Sequence, residues 1–181
     1  MKQTGLMTAE ELERLDLPGK ATELIRGQLI VREPPGTRHG IIAANLCILL
    51  GGFVRREKLG AVSAQDTGFK IESNPDTVSA PDVAYISNAR LGAVGRRGYA
   101  PVAPDLAAEV LSPDYRAGEV FSKVGSWLSA GSKLVWVVDP DREEVRAYRP
   151  DGSVRIISGD GTLDGEDVLS GFTCSVREIL S

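Results

Sequence analysis

Glu109 stands in the middle of the apolar stretch LAAEVLS, residues 106–112. Such a run reads as a buried strand, where an ionised carboxylate is costly unless it is paired or bound to a cation. Asp82 has a similar setting, leading into the apolar run VAYI. Lys123 lies on the next predicted helix, in GEVFSKVGSW. There Val120, Val124, Trp127 and Leu128 mark an apolar stripe and put the lysine on its border. Two carboxylates and an amine at one sheet edge suit magnesium-assisted hydrolysis. Hard oxygen ligands hold the cation, which keeps several waters, and an amine orients a water or offsets charge on a phosphate. The Glu109 strand ends at Ser112-Pro113. Ligands of open α/β sheets lie beyond the carboxyl ends of strands, so Glu109 is expected near a cleft.

The elements that must position these residues are legible in outline. MTAEELERL predicts a short helix with Thr8 as N-cap and Glu11 as its capping-box partner. ATELIRGQLIVRE predicts a hairpin around Arg26-Gly27, and residues 39–58 predict a long helix weakened by Gly51-Gly52. GAVSAQ, TGFKIES and APDVAYIS predict strands, the last starting at its proline. NARLGAVGRRGYAPVAP predicts a long loop in which Arg90, Arg96 and Arg97 are either phosphate contacts or solvated charges. The helix after Glu109 is expected to stop at Gly131, followed by the strand KLVWVVD. That strand–helix–strand unit has the length of a right-handed crossover, which makes its two strands parallel. EEVRAYRP and SVRIIS predict a hairpin around Asp151-Gly152, and SVREIL a closing helix capped by Ser175 and Glu178. The fold class is therefore mixed α/β, a sheet with helices on its faces, in one domain over residues 1–181.

Composition removes several alternatives. The net charge of −4 argues against a charge-driven nucleic-acid binder, though not against an enzyme that acts on nucleic acid. No apolar run looks long enough to cross a bilayer, and the first twenty residues lack a secretory apolar region, so a cytoplasmic protein without membrane attachment is expected. Cys47 and Cys174 have no partners at metal-ligand spacing and read as reduced thiols. A single histidine, His39, excludes a histidine-rich zinc site, and GAVGRRG lacks the GK[ST] of a phosphate-cradling loop.

The ordered set TELIRGQLIV, RHGIIAANLCILL, PDVAYIS, DLAAEVLSPD, EVFSKVGSWLSAGSKLVWVVDP and GFTCSVREIL resembles the Uma-two family of putative restriction endonucleases, within the PD-(D/E)XK nucleases. The resemblance covers nearly the whole chain. It implies a restriction-endonuclease-like mixed sheet flanked by helices, with one site dependent on Mg2+ or Mn2+ and DNA as the substrate. By the same resemblance, Asp82 and Glu109 are the metal ligands. The strict pattern wants a lysine two residues after Glu109, where this chain has Leu111; Lys123 on the following helix matches the family's displaced catalytic lysine. Glu119 matches an acidic position one turn before it, and Glu23 and His39 match further family positions as possible additions to the site. Arg26 and Gln28 stand where the family has acidic residues, and Trp127 where it has a tyrosine. A homodimer is an expectation from analogy alone.

Each residue also has a plainer reading. Asp82 can cap a turn, Glu109 can pair with an arginine, and Lys123 can be a solvated helix lysine with a snorkelling stem. His39 can be a polar residue at a helix end and Glu23 a hairpin surface residue. Two functional alternatives stay open beside the endonuclease: a non-catalytic nucleic-acid or partner-binding module on the same fold, and a hydrolase of another phosphoester.

Overall fold

The computed structural model describes residues 5–113 and 116–181. Asp114, which closes the DLAAEVLSPD stretch, and the first four residues lie outside them. In chain order the first elements are α1 (Ala9–Glu13), β1 (Ala21–Ile25), β2 (Gln28–Arg32), α2 (Thr37–Glu57), β3 (Gly60–Ala64), β4 (Phe69–Glu72), β5 (Thr77–Ser79) and β6 (Val83–Ser87). Then follow α3 (Asn88–Leu91), β7 (Leu106–Val110), α4 (Ala117–Ser129), β8 (Leu134–Asp139), β9 (Glu144–Tyr148), β10 (Val154–Ser158), β11 (Thr162–Gly165), β12 (Leu169–Ser175) and α5 (Val176–Leu180).

Six strands make the main sheet in the order β10-β9-β8-β7-β6-β3. Only β7 and β8 pair in parallel there, as the crossover length predicts, and the other pairs are antiparallel. A four-stranded sheet, β2-β1-β5-β4, and a β11–β12 ribbon complete the architecture. This is the mixed α+β class expected from the sequence.

The strand period of two decides which residues meet which helix. On β7, Leu106, Ala108 and Val110 join the core under α2, with Leu46, Leu50 and Trp136. Ala107 faces the opposite core, with Val120, Val124 and Trp127 of α4, and Leu111 packs at its edge. Glu109 shares the parity of Ala107, so it is delivered to the α4 side. Position 111 lies on that side too, which explains why a lysine from α4 can stand in for one at 111.

Both predicted capping boxes form, Thr8 with Glu11 and Ser175 with Glu178. The first hairpin turns through Arg26 (φ 50°) and Gly27 (φ 77°), the left-handed pair of a tight hairpin turn. Four details differ from the sequence reading. β6 begins at Val83 rather than at Pro81, which leaves Asp82 on the approach to the strand. The loop after β6 contains the short helix α3. Strand β5 and the β11–β12 ribbon escaped the periodicity, being three residues long in one case and interrupted by a bulge at Asp164/Gly165 in the other.

The fourth correction concerns the membrane. Helix α2 has 21 residues and a mean hydropathy of 1.4, enough by length and composition to cross a bilayer. The sequence reading treated Gly51-Gly52 as a weak point, but the helix runs through them and joins two apolar halves. Its inward stripe, Ile42, Leu46, Leu50 and Val54, packs in the core, while Asn45 donates to the carbonyls of Ile179 and Ser181 at the chain end. Cys47 and Cys174 are both free thiols, and burial pushes the Cys174 thiol up to about 12.

Candidate active site

Antiparallel pairing of β6 with β7 aligns Val83 with Ala108, so the residue before β6 stands level with the end of β7. Asp82 therefore reaches the β7 backbone, and its Oδ2 accepts the Val110 N–H at 2.7 Å. The β1–β5 pairing carries Glu23 to the same place. Its Oε1 accepts from Ser79 Oγ at 2.6 Å and from the Ala80 N–H at 3.0 Å, just ahead of Pro81-Asp82. Helix α4 lies over this end of the sheet and supplies Lys123. The ammonium donates to Glu109 Oε2 at 2.9 Å and to the Ala80 carbonyl at 3.2 Å, and lies 3.4 Å from Glu23 Oε1. His39, in the first turn of α2, sets its Nε2 3.2 Å from Asp82 Oδ2. All five residues singled out in the sequence thus meet. Glu23, His39, Asp82 and Lys123 line a cavity of about 770 Å3, and Glu109 is joined to it through Lys123.

Glu109 is neither a solvated residue nor an arginine partner. It is 3% exposed, and both carboxylate oxygens accept hydrogen bonds, Oε2 from Lys123 and Oε1 from Trp127 Nε1 at 2.8 Å. Burial pushes its carboxyl up to about 7. The Lys123 charge opposes that shift, and the negative charges of Asp82 and Glu23 add to it. Burial acts to raise Asp82 and Glu23 as well. The His39 ring and the Val110 N–H outweigh it at Asp82, and Lys123, Ser79 and Ala80 outweigh it at Glu23, so both carboxyls end below their ordinary range. Among the described residues four carboxyl groups, Glu23, Asp82, Glu109 and Glu119, share the cluster with two permanent cations, Lys123 and Arg32, and the ionisable His39 ring. Carboxyl groups thus form a surplus over permanent cations there.

That surplus is the observation against which a hard cation is tested. The donors are carboxylate oxygens, the type that Mg2+ and Mn2+ take, and each oxygen of Glu109 keeps one lone pair beside its present donor. Among the described residues no three His, Cys, Asp or Glu side chains would hold an ion unaided. Mg2+ is commonly held by one or two carboxylates plus water and substrate phosphate, so Asp82 and Glu109 fit such an ion.

Three contributors were not singled out as site residues. Gln65, at the end of the segment GAVSAQ, lies with its Nε2 3.2 Å from Asp82 Oδ1 and 3.1 Å from His39 Nδ1. An ionised carboxylate only accepts, so the amide nitrogen must face Asp82. Its second hydrogen then points at Nδ1, and the neutral ring carries its proton on Nε2, toward Asp82 Oδ2. Burial acts to lower the His39 pKa, but Asp82 outweighs it and the net shift is upward. Trp127 reads from the sequence as core and is fully buried, yet its indole N–H also orients Glu109. Arg32 lies 3.7 Å from Glu23 and 3.5 Å from Glu119, so Glu119 meets β2 as well as sharing a helix with Lys123. No short-range sequence pattern marks Gln65 or Arg32, because each becomes relevant only through strand pairing.

Other charged residues fall elsewhere. Arg90 donates to the carbonyls of Ala103 and Gly131 and lies 3.4 Å from Asp105, which makes it a structural clamp rather than a phosphate contact. Asp105 is 1% exposed and also holds Lys133 at 3.0 Å. Asp139 ends β8 and accepts the N–H groups of Asp141 and Arg142.

The Uma2 family model, described as a putative restriction endonuclease, matches residues 9–177. A crystal structure of a putative nuclease belonging to DUF820 from Anabaena variabilis ATCC 29413 matches with a TM-score of 0.81 and 22% identity, over 96% of this chain and 97% of that one. At that identity the likeness is one of fold. No curated protein matches the chain.

Proposed function

The chain belongs to the Uma2 family of putative restriction endonucleases, and from that premise we propose that it is a nuclease that hydrolyses phosphodiester bonds in DNA with Mg2+ or Mn2+. Asp82 and Glu109 would hold the cation, which when bound supplies Lewis-acid stabilisation of charge on the phosphate. Lys123 keeps an ammonium at the cavity wall, where it offsets developing negative charge and orients an attacking water. Glu23 is a second carboxylate partner of Lys123 beside Glu109. His39 and Gln65 hold Asp82, and Trp127 fixes the rotamer of Glu109. The observation that carries this reading is a buried carboxylate, tied to the cavity wall by Lys123 at 2.9 Å, whose carboxyl is still pushed up by burial and by Asp82 and Glu23.

The test is incubation of the purified chain with plasmid and single-stranded DNA, with and without Mg2+ or Mn2+. Cation-dependent cleavage that disappears in Asp82→Asn and Glu109→Gln is the expected result. Inactivity of the wild type on all such substrates overturns the proposal. Cleavage of a small phosphodiester with none of DNA moves the chain to another phosphoester.

One observation favours a second reading. Both oxygens of Glu109 already accept hydrogen bonds, a satisfied arrangement that also suits a non-catalytic nucleic-acid-binding module. Calorimetric titration with Mn2+ separates the two: Asp82-dependent uptake belongs to the nuclease, and its absence to the binding module.

A further inference from the structure

A second cavity of about 270 Å3 adjoins the first, and Ser112 and Pro113 line both. It lies where β7 and β8 end, beside Leu111, Asp139 and Pro140, and so beyond the carboxyl ends of the parallel pair, where α/β sheets bind ligands. Its walls differ in chemistry from those of the acidic cavity. Phe121 is 61% exposed, and its ring meets the buried ring of Tyr148 edge to face at 6.3 Å. Arg146 is held in place by Glu144 at 2.5 Å and Asp139 at 3.8 Å, while Arg142 leaves its guanidinium largely in solvent.

Helix α4 separates the two cavities. Val120, Val124 and Trp127 form its buried face, Lys123 leaves one border toward the acidic cavity, and Phe121 leaves the other toward the second. We propose that the second cavity is a nucleoside subsite: it takes the base next to the phosphodiester at Lys123, stacked on Phe121, with Arg142 toward the adjoining phosphate. The proposal rests on the nuclease reading above and adds the substrate class, a strand whose base is unpaired at that position.

Three observations meet in it. The volume is near the lower end of small-molecule sites, about 300 Å3, which suits one ring system rather than a duplex. Apolar and aromatic walls match the face of a base, and its edge meets both donors, Arg142 and Arg146, and acceptors, the carboxylates of Asp139 and Asp141. The shared Ser112–Pro113 rim makes the two cavities neighbours along one bound strand.

The probe is a single-stranded trinucleotide with a central 2-aminopurine, whose fluorescence is quenched on stacking, titrated into the whole chain without divalent cation. Saturable quenching is expected in the wild type. Affinity should fall about tenfold or more in Phe121→Ala and return in Phe121→Trp, in keeping with alanine effects on base stacking. Phe121 is exposed, and an unchanged melting temperature in Phe121→Ala shows that folding is intact. The unlabelled trinucleotide should compete, whereas one that is abasic at its centre, with the same phosphates, should not. Absence of quenching, equal competition by the abasic strand, or unchanged affinity in Phe121→Ala overturns the subsite. The two readings fail separately. DNA cleavage with Phe121-independent binding removes the subsite and leaves the nuclease, whereas Phe121-dependent binding without cleavage does the reverse.

Discussion

Asp105 and Glu109 are two buried carboxylates, one just before strand β7 and one within it, and they are held in opposite ways. Asp105 sits at the entry to β7 beside two cations, Arg90 at 3.4 Å and Lys133 at 3.0 Å, and accepts the Ser87 N–H at 2.8 Å. Burial acts to raise its carboxyl, but these partners more than offset that and hold it below the usual range. Among the described residues Glu109 has one cation partner, Lys123, with the carboxylates of Asp82 and Glu23 nearby, and its carboxyl is pushed up to about 7. Burial alone therefore does not distinguish a structural charge from a functional one. The distinction lies in whether the neighbours complete the charge balance, and whether the group adjoins a cavity.

The contrast can be broken by exchanging what each residue does. The largest expected effect is on cleavage: Lys123→Ala and Glu109→Gln should each lower the cation-dependent rate by about a hundredfold or more, a scale typical for loss of one electrostatic stabiliser. Asp105→Asn should leave the rate per folded molecule near wild type, as gel assays of both variant sets would check.

Stability should respond in the other direction. Asp105→Asn breaks a buried ion-pair cluster and should cost about 2 kcal/mol in urea unfolding at neutral pH, low in the range for such losses because Lys133 keeps access to water. Its folded pKa is depressed, so the stabilisation is present above the unfolded value near 3.8 and is lost as pH falls through the folded value. Wild type and Asp105→Asn should therefore converge in strong acid.

Glu109 has the opposite sign. Its folded pKa is raised, so its cost is absent below about 4.5 and grows as pH rises toward about 7. Glu109→Gln should match wild type in stability near pH 4.5. It should be equal or more stable at pH 7.5, by on the order of 1 kcal/mol, when melting is followed across that range. A variant destabilised equally at both pH values would show that Glu109 is held as Asp105 is.

The smallest effect is local. Gln65→Leu removes the donor to His39 Nδ1, while Asp82 still accepts from Nε2 and keeps the neutral ring in its Nε2–H form. His39 is the only histidine, so long-range proton–nitrogen spectra should show the Nδ1 resonance of one ring moving downfield as it loses its hydrogen bond, with Nε2 little changed. An unmoved Nδ1 resonance would show that Gln65 does not donate to the ring.

Much of this was legible along the chain. The apolar run around Glu109, the amphipathic stripe of α4 and the crossover between β7 and β8 follow from local periodicity and length. So do the two capping boxes and the Arg26-Gly27 turn, because caps and tight turns depend on residues a few positions apart. Asp82, Glu109 and Lys123 were found through motif order. The roles of Asp105 and Gln65 were not legible, since their partners lie in other strands, helices and loops.

The sequence by itself determined the fold class, the alternation that places Glu109 on the α4 side, and the lack of a lysine at Leu111. Only the tertiary structure decided that Lys123 crosses to Glu109, that Glu23 arrives from a second sheet, and that α4 divides two cavities. The physical reason is range. Hydrophobic periodicity is written into neighbouring residues, whereas a charge balance is the sum over everything that folding brings within a few ångströms, and no window along the chain contains that sum.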